Sequence, residues 1–474
     1  MSQTKIKTDL LIIGAGSGGL SLAAGAVQMG AEVILLEGAE MGGDCLNYGC
    51  VPSKALLAAA KNPGRLEMGF ETDDAPMTAH RHHQKGLSHV QKVIAQIAPH
   101  DSQDRFERLG VSVLREFGRF VAPDTVRAGK FDILARRVVI ATGSRPAIAP
   151  IPGLQDVPYL TNETLFQMKE TPDHLIILGG GPIGVEMAQA HARMGIKVTI
   201  VEAMQILGKD DPELVEFLRR RLQKEGIEVL ENSPAQEVKQ KDGDIIVRLH
   251  DGRDLVGTHL LVATGRAANI ETLDLETAGI AFGAKGIHVD KGLRTTNKRV
   301  YAIGDVSSPL QFTHSAAYEA GLVLRNALFG LRVRRRTHHI PWVTFSDPEL
   351  AQVGFTEAGA RQKYGDRLEV SRFSFSANDR AIAEAQSEGM IKLLVVRGRP
   401  VGVSIVGHGA GELIAFWSFV IAQRIKLSKL PSMITPYPTL SEVNARVVGA
   451  YFSNRLFENI WIKRVVRFVQ KRIP

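Results

Sequence analysis

Cys45 and Cys50 are the two cysteines of this chain, and they sit in the run Gly42-Gly43-Asp44-Cys45-Leu46-Asn47-Tyr48-Gly49-Cys50-Val51-Pro52-Ser53-Lys54. Two thiols this close can cycle between dithiol and disulfide and so move two electrons. Five residues along a straight helix advance roughly 7.5 Å, whereas a disulfide wants Cα atoms about 4.4–6.8 Å apart. A bridged pair therefore needs a bent helix start, and Gly49 with the Gly42-Gly43 turn supplies the freedom. The alternatives are two buried apolar cysteines or half of a zinc site. Zinc needs further ligands at short spacing, and there is no third cysteine. No metal site is expected.

The elements that must position the pair begin just upstream. An apolar strand, Asp9–Ile13, runs into Gly14-Ala15-Gly16-Ser17-Gly18-Gly19 and a helix to about Met29; a second strand, Glu32–Leu36, ends in Glu37. The same order returns at His174–Leu178, Gly179-Gly180-Gly181-Pro182-Ile183-Gly184, a helix to about Met194, and a strand Lys197–Val201 ending in Glu202. Each fits G-x-G-x-x-G with an acid about 20 residues on. Gly14, Gly16 and Gly19, then Gly179, Gly181 and Gly184, allow a tight turn against a pyrophosphate, and Glu37 and Glu202 can each hydrogen-bond a ribose diol. One fingerprint is weak; two in strand-turn-helix context are specific. A 2′-phosphate beside Glu202 meets like charge, and no Arg or Lys stands in 203–207, which argues for NADH over NADPH; Lys209 is the nearby objection.

Later segments repeat in the same way. Val138–Gly143 and Leu260–Gly265 both read as a strand entering Ala-Thr-Gly, and Val300–Asp305 as a short strand ending in an acid. Arg332–Arg336 reads as a polar linker. Gly389–Val396 and Pro400–Val406 alternate as antiparallel strands, with helices at about Glu412–Gln423 and Leu440–Tyr451 to cover them.

At 474 residues, 44% hydrophobic and 23% charged, the chain has ample core for about three domains. Two cysteines exclude a disulfide-stapled secreted scaffold, and a reducing cytosol is the expected setting. No signal peptide or membrane span is read. The formal charge of +8 is concentrated late: Arg455, Lys463, Arg464, Arg467, Lys471 and Arg472 face one acid, Glu458. There Trp461, Val465 and Phe468 form one stripe, Ile462, Val466, Val469 and Ile473 the next, with Lys463, Arg467, Gln470 and Lys471 opposite. This is a basic amphipathic helix. It packs on a dimer, attaches peripherally to an anionic membrane (on its inner face), or meets an acidic protein; no nucleic acid is expected. His80, His82, His83, His89 and His100 read as surface decoration of a helix and its preceding loop rather than a metal site.

Taken together, Gly14–Gly19, Cys45 through Lys54, Ala141-Thr142-Gly143, Gly179–Glu186, Ala263-Thr264-Gly265-Arg266, Gly304-Asp305 and Pro438-Thr439-Leu440-Ser441-Glu442 resemble the flavin-dependent pyridine nucleotide-disulfide oxidoreductases, the family of dihydrolipoamide dehydrogenase, glutathione reductase and mercuric reductase. Ile97–Ser102 and Pro341–Phe345 look most like the mercuric-reductase-like branch. The resemblance covers nearly the whole chain. It implies an α/β fold with two Rossmann-like dinucleotide-binding domains plus a C-terminal α+β dimerisation domain. The expected boundaries are 1–150 for FAD with the redox cysteines, 151–265 for NAD, 266–335 for the second part of the FAD domain, 336–453 for dimerisation and 454–474 for the tail. A homodimer is implied, each C-terminal domain completing its partner's site. By the same resemblance FAD sits on the first fingerprint and NADH on the second. Cys50 is then the charge-transfer thiol, Cys45 the interchange thiol, and Asp305 the ribityl ligand; Thr142, Gly143 and Gly265 are cofactor-binding. Lys54, paired with Glu186, lies by flavin N5, where a fixed cation stabilises electron-rich flavin. A helix starting near Thr313 would aim its positive end at the pyrimidine ring.

The pattern departs at Tyr437. Disulfide-reducing relatives carry histidine before Pro-Thr-x-x-Glu, and here Tyr437 precedes Pro438 through Glu442. A phenol with a pKa near 10 is a poor proton shuttle at neutral pH, and losing a general base costs on the order of 10²–10⁴ in rate. Poor lipoamide or glutathione turnover is expected. Mercuric reductases share the tyrosine, yet use a second C-terminal thiol pair that this sequence does not show, and they use NADPH. The leading expectation is an NADH-dependent flavoenzyme passing electrons through FAD to Cys45–Cys50 and on to an unidentified acceptor. A mercuric-type metal-ion reductase, a membrane-associated NADH:quinone-type reductase and a non-catalytic flavin redox sensor are the alternatives. The acceptor classes are thus a small-molecule disulfide, a metal or a quinone.

Overall fold

The computed structural model describes residues 3–61 and 78–473. The chain divides into two compact units, one running to Ala203 and resuming over Leu230–Arg335, the other joining Met204–Val229 to the chain from Arg336 onward.

The first unit holds both fingerprints. Thr4–Ile13 lies parallel to Val33–Leu36 on one side and to Phe131–Ile140 on the other. Ser112–Leu114 and Val300–Ala302 extend this parallel sheet, and Gly118–Ala122 with Thr125–Ala128 add an antiparallel hairpin. Its central strands are apolar on both faces because helices cover them: Leu10, Leu11, Ile12 and Val139 are fully buried. The Ser17–Gln28 and Thr313–Phe329 helices pack over one face, around Leu22, Ala23, Ala26, Leu322 and Val323. The second fingerprint has its own parallel sheet of Lys197–Val201, His174–Leu178 and His259–Val262, and an antiparallel trio, Ala235–Lys241, Asp244–Leu249 and Asp254–Gly257, follows it.

The second unit is a five-stranded antiparallel sheet in the order Pro341–Thr344, Glu349–Gly354, Arg399–Gly407, Met390–Val396 and Leu368–Ser374. Ala410–Ala422 and Glu442–Phe457 cover it with a core built around Trp417, whose indole N–H donates to Asn444 (2.7 Å). The strands and helices expected here are present within a few residues. The Pro212–Lys224 helix belongs to this unit through Lys392, a lysine only 2% exposed and held by Asp211 (2.7 Å), Glu213 (2.6 Å) and Glu357 (3.0 Å). Three carboxylates compensate the desolvation that one buried ammonium suffers.

Arg332–Arg336 is the polar linker expected, with one addition: Arg335 reaches Glu319 (2.9 Å), a fully buried carboxylate. One local reading is corrected. The histidines are not all on the surface. His80 and His100 are exposed, but His82 and His83 are buried within the Ala79–Ile97 helix. Their aromatic bodies fill space beneath it; His82 donates to Ala59 O (3.3 Å) and the His83 ring lies 5.5 Å from that of buried His191. Among the described residues no group of three His, Cys, Asp or Glu is placed to hold a metal ion.

Candidate active site

The two glycine turns share one backbone. Gly14 and Gly179 have φ of +106° and +109°, in the left-handed region that glycine tolerates. Gly16 and Gly181 then cap their helices at φ/ψ of −77°/−177° and −72°/−178°. The three glycines of each motif do separate jobs. A Cβ on Gly14 would strike Ala141, and one on Gly179 would strike Ala263. A Cβ on Gly19 or Gly184 would run into the carbonyl of the first glycine of its own turn, so only glycine lets helix and strand close up. Gly16 and Gly181 face open space within 4 Å, where a pyrophosphate can approach the helix N-terminus. Glu37 accepts from Ala15 N (2.7 Å) and Glu202 from Gly180 N (2.7 Å), which aims both carboxylates at their turns. Both turns therefore fit a dinucleotide.

The thiol segment is laid against the first turn. Gly42 N donates to Ala15 O (3.0 Å), and a Cβ on Gly43 would crowd Gly16. The expected bend is a break between two helices, Gly43–Asn47 and Cys50–Lys61, at Tyr48-Gly49. Asp44 anchors it, taking Asn162 Nδ2 (3.0 Å) and Arg266 Nη2 (3.1 Å). Arg266 also donates to Ser144 Oγ (2.7 Å), whose hydroxyl donates to Asp305 Oδ2 (2.6 Å). Burial pushes the Asp305 carboxyl up, opposed by Ser144 and Arg266. Arg266, Asp44, Ser144 and Asn162 had no assigned role in the sequence reading; Arg266 follows Ala263-Thr264-Gly265, which was the available signal.

The two Ala-Thr-Gly turns cross-brace one another. Thr142 Oγ1 donates to Asn269 O (2.7 Å) and Asn269 N to Gly143 O (3.0 Å), while Thr264 Oγ1 donates to Ala147 O (2.8 Å) and Ala147 N to Gly265 O (2.9 Å). Each turn holds the segment that follows the other, and the paired strands Ser144–Pro146 and Arg266–Ala268 join them.

Cys45 and Cys50 are free thiols that bear on one another's ionisation. Cys50 Sγ also lies 3.4 Å from Thr313 Oγ1, on the first residue of a helix without a side-chain cap. The hydrogen bond from Cys45 draws the Cys50 thiol down to about 6 against the effect of burial, with Thr313 and the Lys54 charge assisting. The same hydrogen bond, with burial, pushes Cys45 up. The pair is thus polarised, with Cys50 favoured toward the thiolate and Cys45 toward the thiol. Lys54 Nζ meets Glu186 Oε2 at 2.8 Å, and the Glu186 side chain is 5% exposed. Glu319 accepts from Gly304 N (2.8 Å), bracing the turn that carries Asp305.

Tyr437 lies in the second unit. It is 70% exposed, and its hydroxyl donates to Asp379 Oδ2 (3.0 Å), which pushes the phenol up. Glu442 does not take that hydrogen bond; its carboxylate lies 3.8 Å from Arg446. Asp379 was not anticipated, since it is 58 residues away in sequence.

Two dinucleotide turns flanking a polarised thiol pair define a flavoprotein disulfide reductase. Residues 8–320 match the family described as pyridine nucleotide-disulphide oxidoreductase, and residues 340–447 match its dimerisation domain. The mercuric reductase of Staphylococcus aureus is 33% identical over 442 residues, covering 92% of this chain and 80% of that protein. The dihydrolipoyl dehydrogenase of Thermus scotoductus is 36% identical over 460 residues, covering 92% and 96%. Among solved structures, the copper(II) complex of the HOCl-induced flavoprotein disulfide reductase RclA from Escherichia coli superposes with a TM-score of 0.83 at 28% identity, covering 93% of this chain and 99% of that one. The chain belongs to the pyridine nucleotide-disulphide oxidoreductase family. It is an oxidoreductase of an FAD-dependent family that uses a pyridine nucleotide, and it carries that family's dimerisation domain.

Proposed function

We propose that this enzyme takes electrons from NADH on the second turn, within the 151–265 domain, and delivers them to Cys45–Cys50 beside FAD on the first. Bound FAD would supply two-electron transfer between the nicotinamide hydride and the disulfide. Gly14, Gly16, Gly19, Glu37, Thr142, Gly143 and Asp305 would hold it, and Gly179, Gly181, Gly184, Glu202 and Gly265 the nucleotide. The carrying observation is the placement of the thiol pair: Cys45 and Cys50 straddle a helix break laid on the first glycine turn, with Cys50 Sγ 3.4 Å from Thr313 Oγ1 at a helix start and Lys54 on the same helix.

In the reduced enzyme Cys50 holds the charge and Cys45 the proton. Cys45 attacks an acceptor disulfide as its proton passes toward Cys50. The mixed disulfide is then resolved by Cys50, so that the thiol–thiolate pair becomes one enzyme disulfide and the acceptor becomes one thiol and one thiolate, the latter taking its proton from solvent. Lys54, fixed by Glu186, keeps a cation beside the site. Tyr437, donating to Asp379, is a hydrogen-bond donor rather than a base, which supports slow turnover of lipoamide and glutathione disulfide. With Cys45 and Cys50 as the chain's thiols, a soft metal ion would be received by that pair alone. Glu202 supports NADH over NADPH. The enzyme is read as a homodimer, with Tyr437 and Glu442 serving the partner's site, and as a protein of the reducing cytoplasm.

The test is an acceptor screen with NADH oxidation as readout, using lipoamide, glutathione disulfide, Hg²⁺, quinones and O₂, on wild type and a Cys45→Ser/Cys50→Ser protein. Disulfide and metal reduction should fall by at least about 10³-fold while quinone reduction survives. Undiminished disulfide reduction in the double variant would overturn the thiol mechanism.

A further inference from the structure

The Ile460–Arg472 helix lies beyond the residues matched by the dimerisation domain, and none of its residues is buried. At about 100° per residue, Trp461, Ile462, Val465, Val466, Phe468 and Val469 fall in one arc of about 160°. Lys463, Arg464, Arg467, Gln470 and Lys471 fill the opposite arc; the exceptions are at the two ends, Ile460 among the basic residues and Arg472 among the apolar ones. Trp461 is 69% and Phe468 59% exposed, with Val465 and Val466 also exposed. The helix has five basic residues and no acid, so no ion pair along it neutralises the charged face. Two arginines lie over aromatic rings of the helix: Arg464, at the edge of the basic arc, 5.0 Å over the Trp461 ring, and Arg472 5.2 Å over that of Phe468. Asn459 caps the start, accepting from Trp461 N (2.9 Å), so the helix is locally well formed.

We propose that this helix docks in the plane of an anionic lipid surface, apolar arc down and basic arc among the headgroups, and holds the enzyme there. Thirteen residues rise about 20 Å, short of the roughly 30 Å hydrocarbon core, so the helix lies on a bilayer rather than across it. Charge points to this occupant: a basic arc with no acid along the helix is complementary to anionic headgroups, whereas a second copy of the same helix offers it no opposite charge. Indole and phenyl rings paired with arginine suit the headgroup boundary, where one side of the pair is wet and the other dry. The proposal is independent of which acceptor the thiols reduce.

The experiment is sedimentation of the full-length holoenzyme with vesicles of phosphatidylcholine alone or mixed with phosphatidylglycerol, with solution mass measured by light scattering in parallel. Wild type should partition onto the anionic vesicles at least tenfold more than onto neutral ones, and less as salt rises. Val465→Glu/Phe468→Glu should lose at least tenfold of that binding. Lys463→Gln/Arg467→Gln should lose several-fold and flatten the salt dependence. Both should keep wild-type mass and NADH-driven turnover with a soluble acceptor, showing that they are folded. Three results overturn the proposal: wild type that stays in the supernatant with both vesicles, binding untouched by the apolar-face variant, or an apolar-face variant whose loss of binding comes with a fall in mass, which assigns the face to a second copy.

Discussion

After its first glycine turn the chain runs into a helix whose buried residues are all small or apolar: Gly18, Gly19, Leu20, Leu22, Ala23 and Ala26. After the second it runs into one that buries Glu186, Gln189 and His191 as well as apolar residues. The turns themselves differ by a few degrees in φ and ψ. A nearly identical backbone trap is thus given two different neighbourhoods. The first helix is an inert packing surface, and the chemistry beside its turn arrives from Gly42–Cys50, laid on from outside. The second helix carries polar groups inward, and Glu186 joins it to Lys54 on the thiol-bearing helix. The polar connection between the two fingerprints therefore runs through a side chain, not through the glycine motif.

The largest test of this comparison exchanges the open glycines. At Gly16 and Gly181 a Cβ meets nothing within 4 Å, so a side chain fits but its charge would face a pyrophosphate. A carboxylate there costs on the order of 4 kcal/mol per close charge pair. Gly16→Glu should purify colourless. Gly181→Glu should stay yellow yet be bleached by NADH at least about 100-fold more slowly in stopped flow. The reverse pattern would exchange the two assignments.

The next test uses the buried imidazole of the second helix, His191, and its neighbour His83 on the Ala79–Ile97 helix. Burial lowers His191 to about 4 and His83, which also feels His191, to about 3. Among the described residues neither Nε2 has a hydrogen-bond partner. The unfolded chain binds protons below about 6.5, while the folded protein resists until near 4 and 3. Stability should therefore fall as pH drops from about 6.5, by on the order of 3 kcal/mol for His191 alone at about 1.4 kcal/mol per unit. Amide exchange should open Pro182–Arg193 before Ser17–Gln28 as acid is added, and His191→Phe should flatten the trend. Equal acid sensitivity of the two helices would remove the distinction.

Smaller again is the contrast between the two acids. Glu202→Ala should raise the KM for NADH about tenfold, as expected for one lost hydrogen bond to a charged group, and narrow the preference over NADPH. Glu37→Ala should leave that preference unchanged and weaken flavin retention instead. The finest test reads the long-wavelength thiolate-to-flavin band of the holoenzyme against pH. It should grow in as pH rises through about 6, where Cys50 ionises. Cys45→Ala should move the midpoint up furthest, Thr313→Val less, and Lys54→Met by about one unit or less. An unmoved midpoint in Cys45→Ala would show that the thiol pair is not polarised as described.

Much of this was legible in the chain. His174–Leu178 and Lys197–Val201 run over the expected residues, because a buried parallel strand bounded by glycine turns has few alternatives. The Lys54–Glu186 pair was expected by resemblance and is met at 2.8 Å. Side-chain environments were less legible. His83 is followed by polar residues and reads as exposed, yet its helix face is inward. Arg335 looks like one more linker arginine until Glu319 is found buried behind it. The motif placed Glu442 five residues after Tyr437, but the hydroxyl turns to Asp379.

By itself the sequence determined the two dinucleotide turns, the bend between the cysteines and the charge and apolar stripes of the last helix. Each of these is set by neighbours a few residues apart, whether through glycine sterics or helical period. Tertiary structure decided which thiol is drawn toward the thiolate, which acids face which cations and which histidines are held from protonation. Those outcomes depend on burial and on partners such as Thr313, Arg266 and Glu186, which the fold brings together across more than 100 residues of chain. A local pattern cannot state the desolvation a group will meet, and at this site desolvation and its compensation set the chemistry.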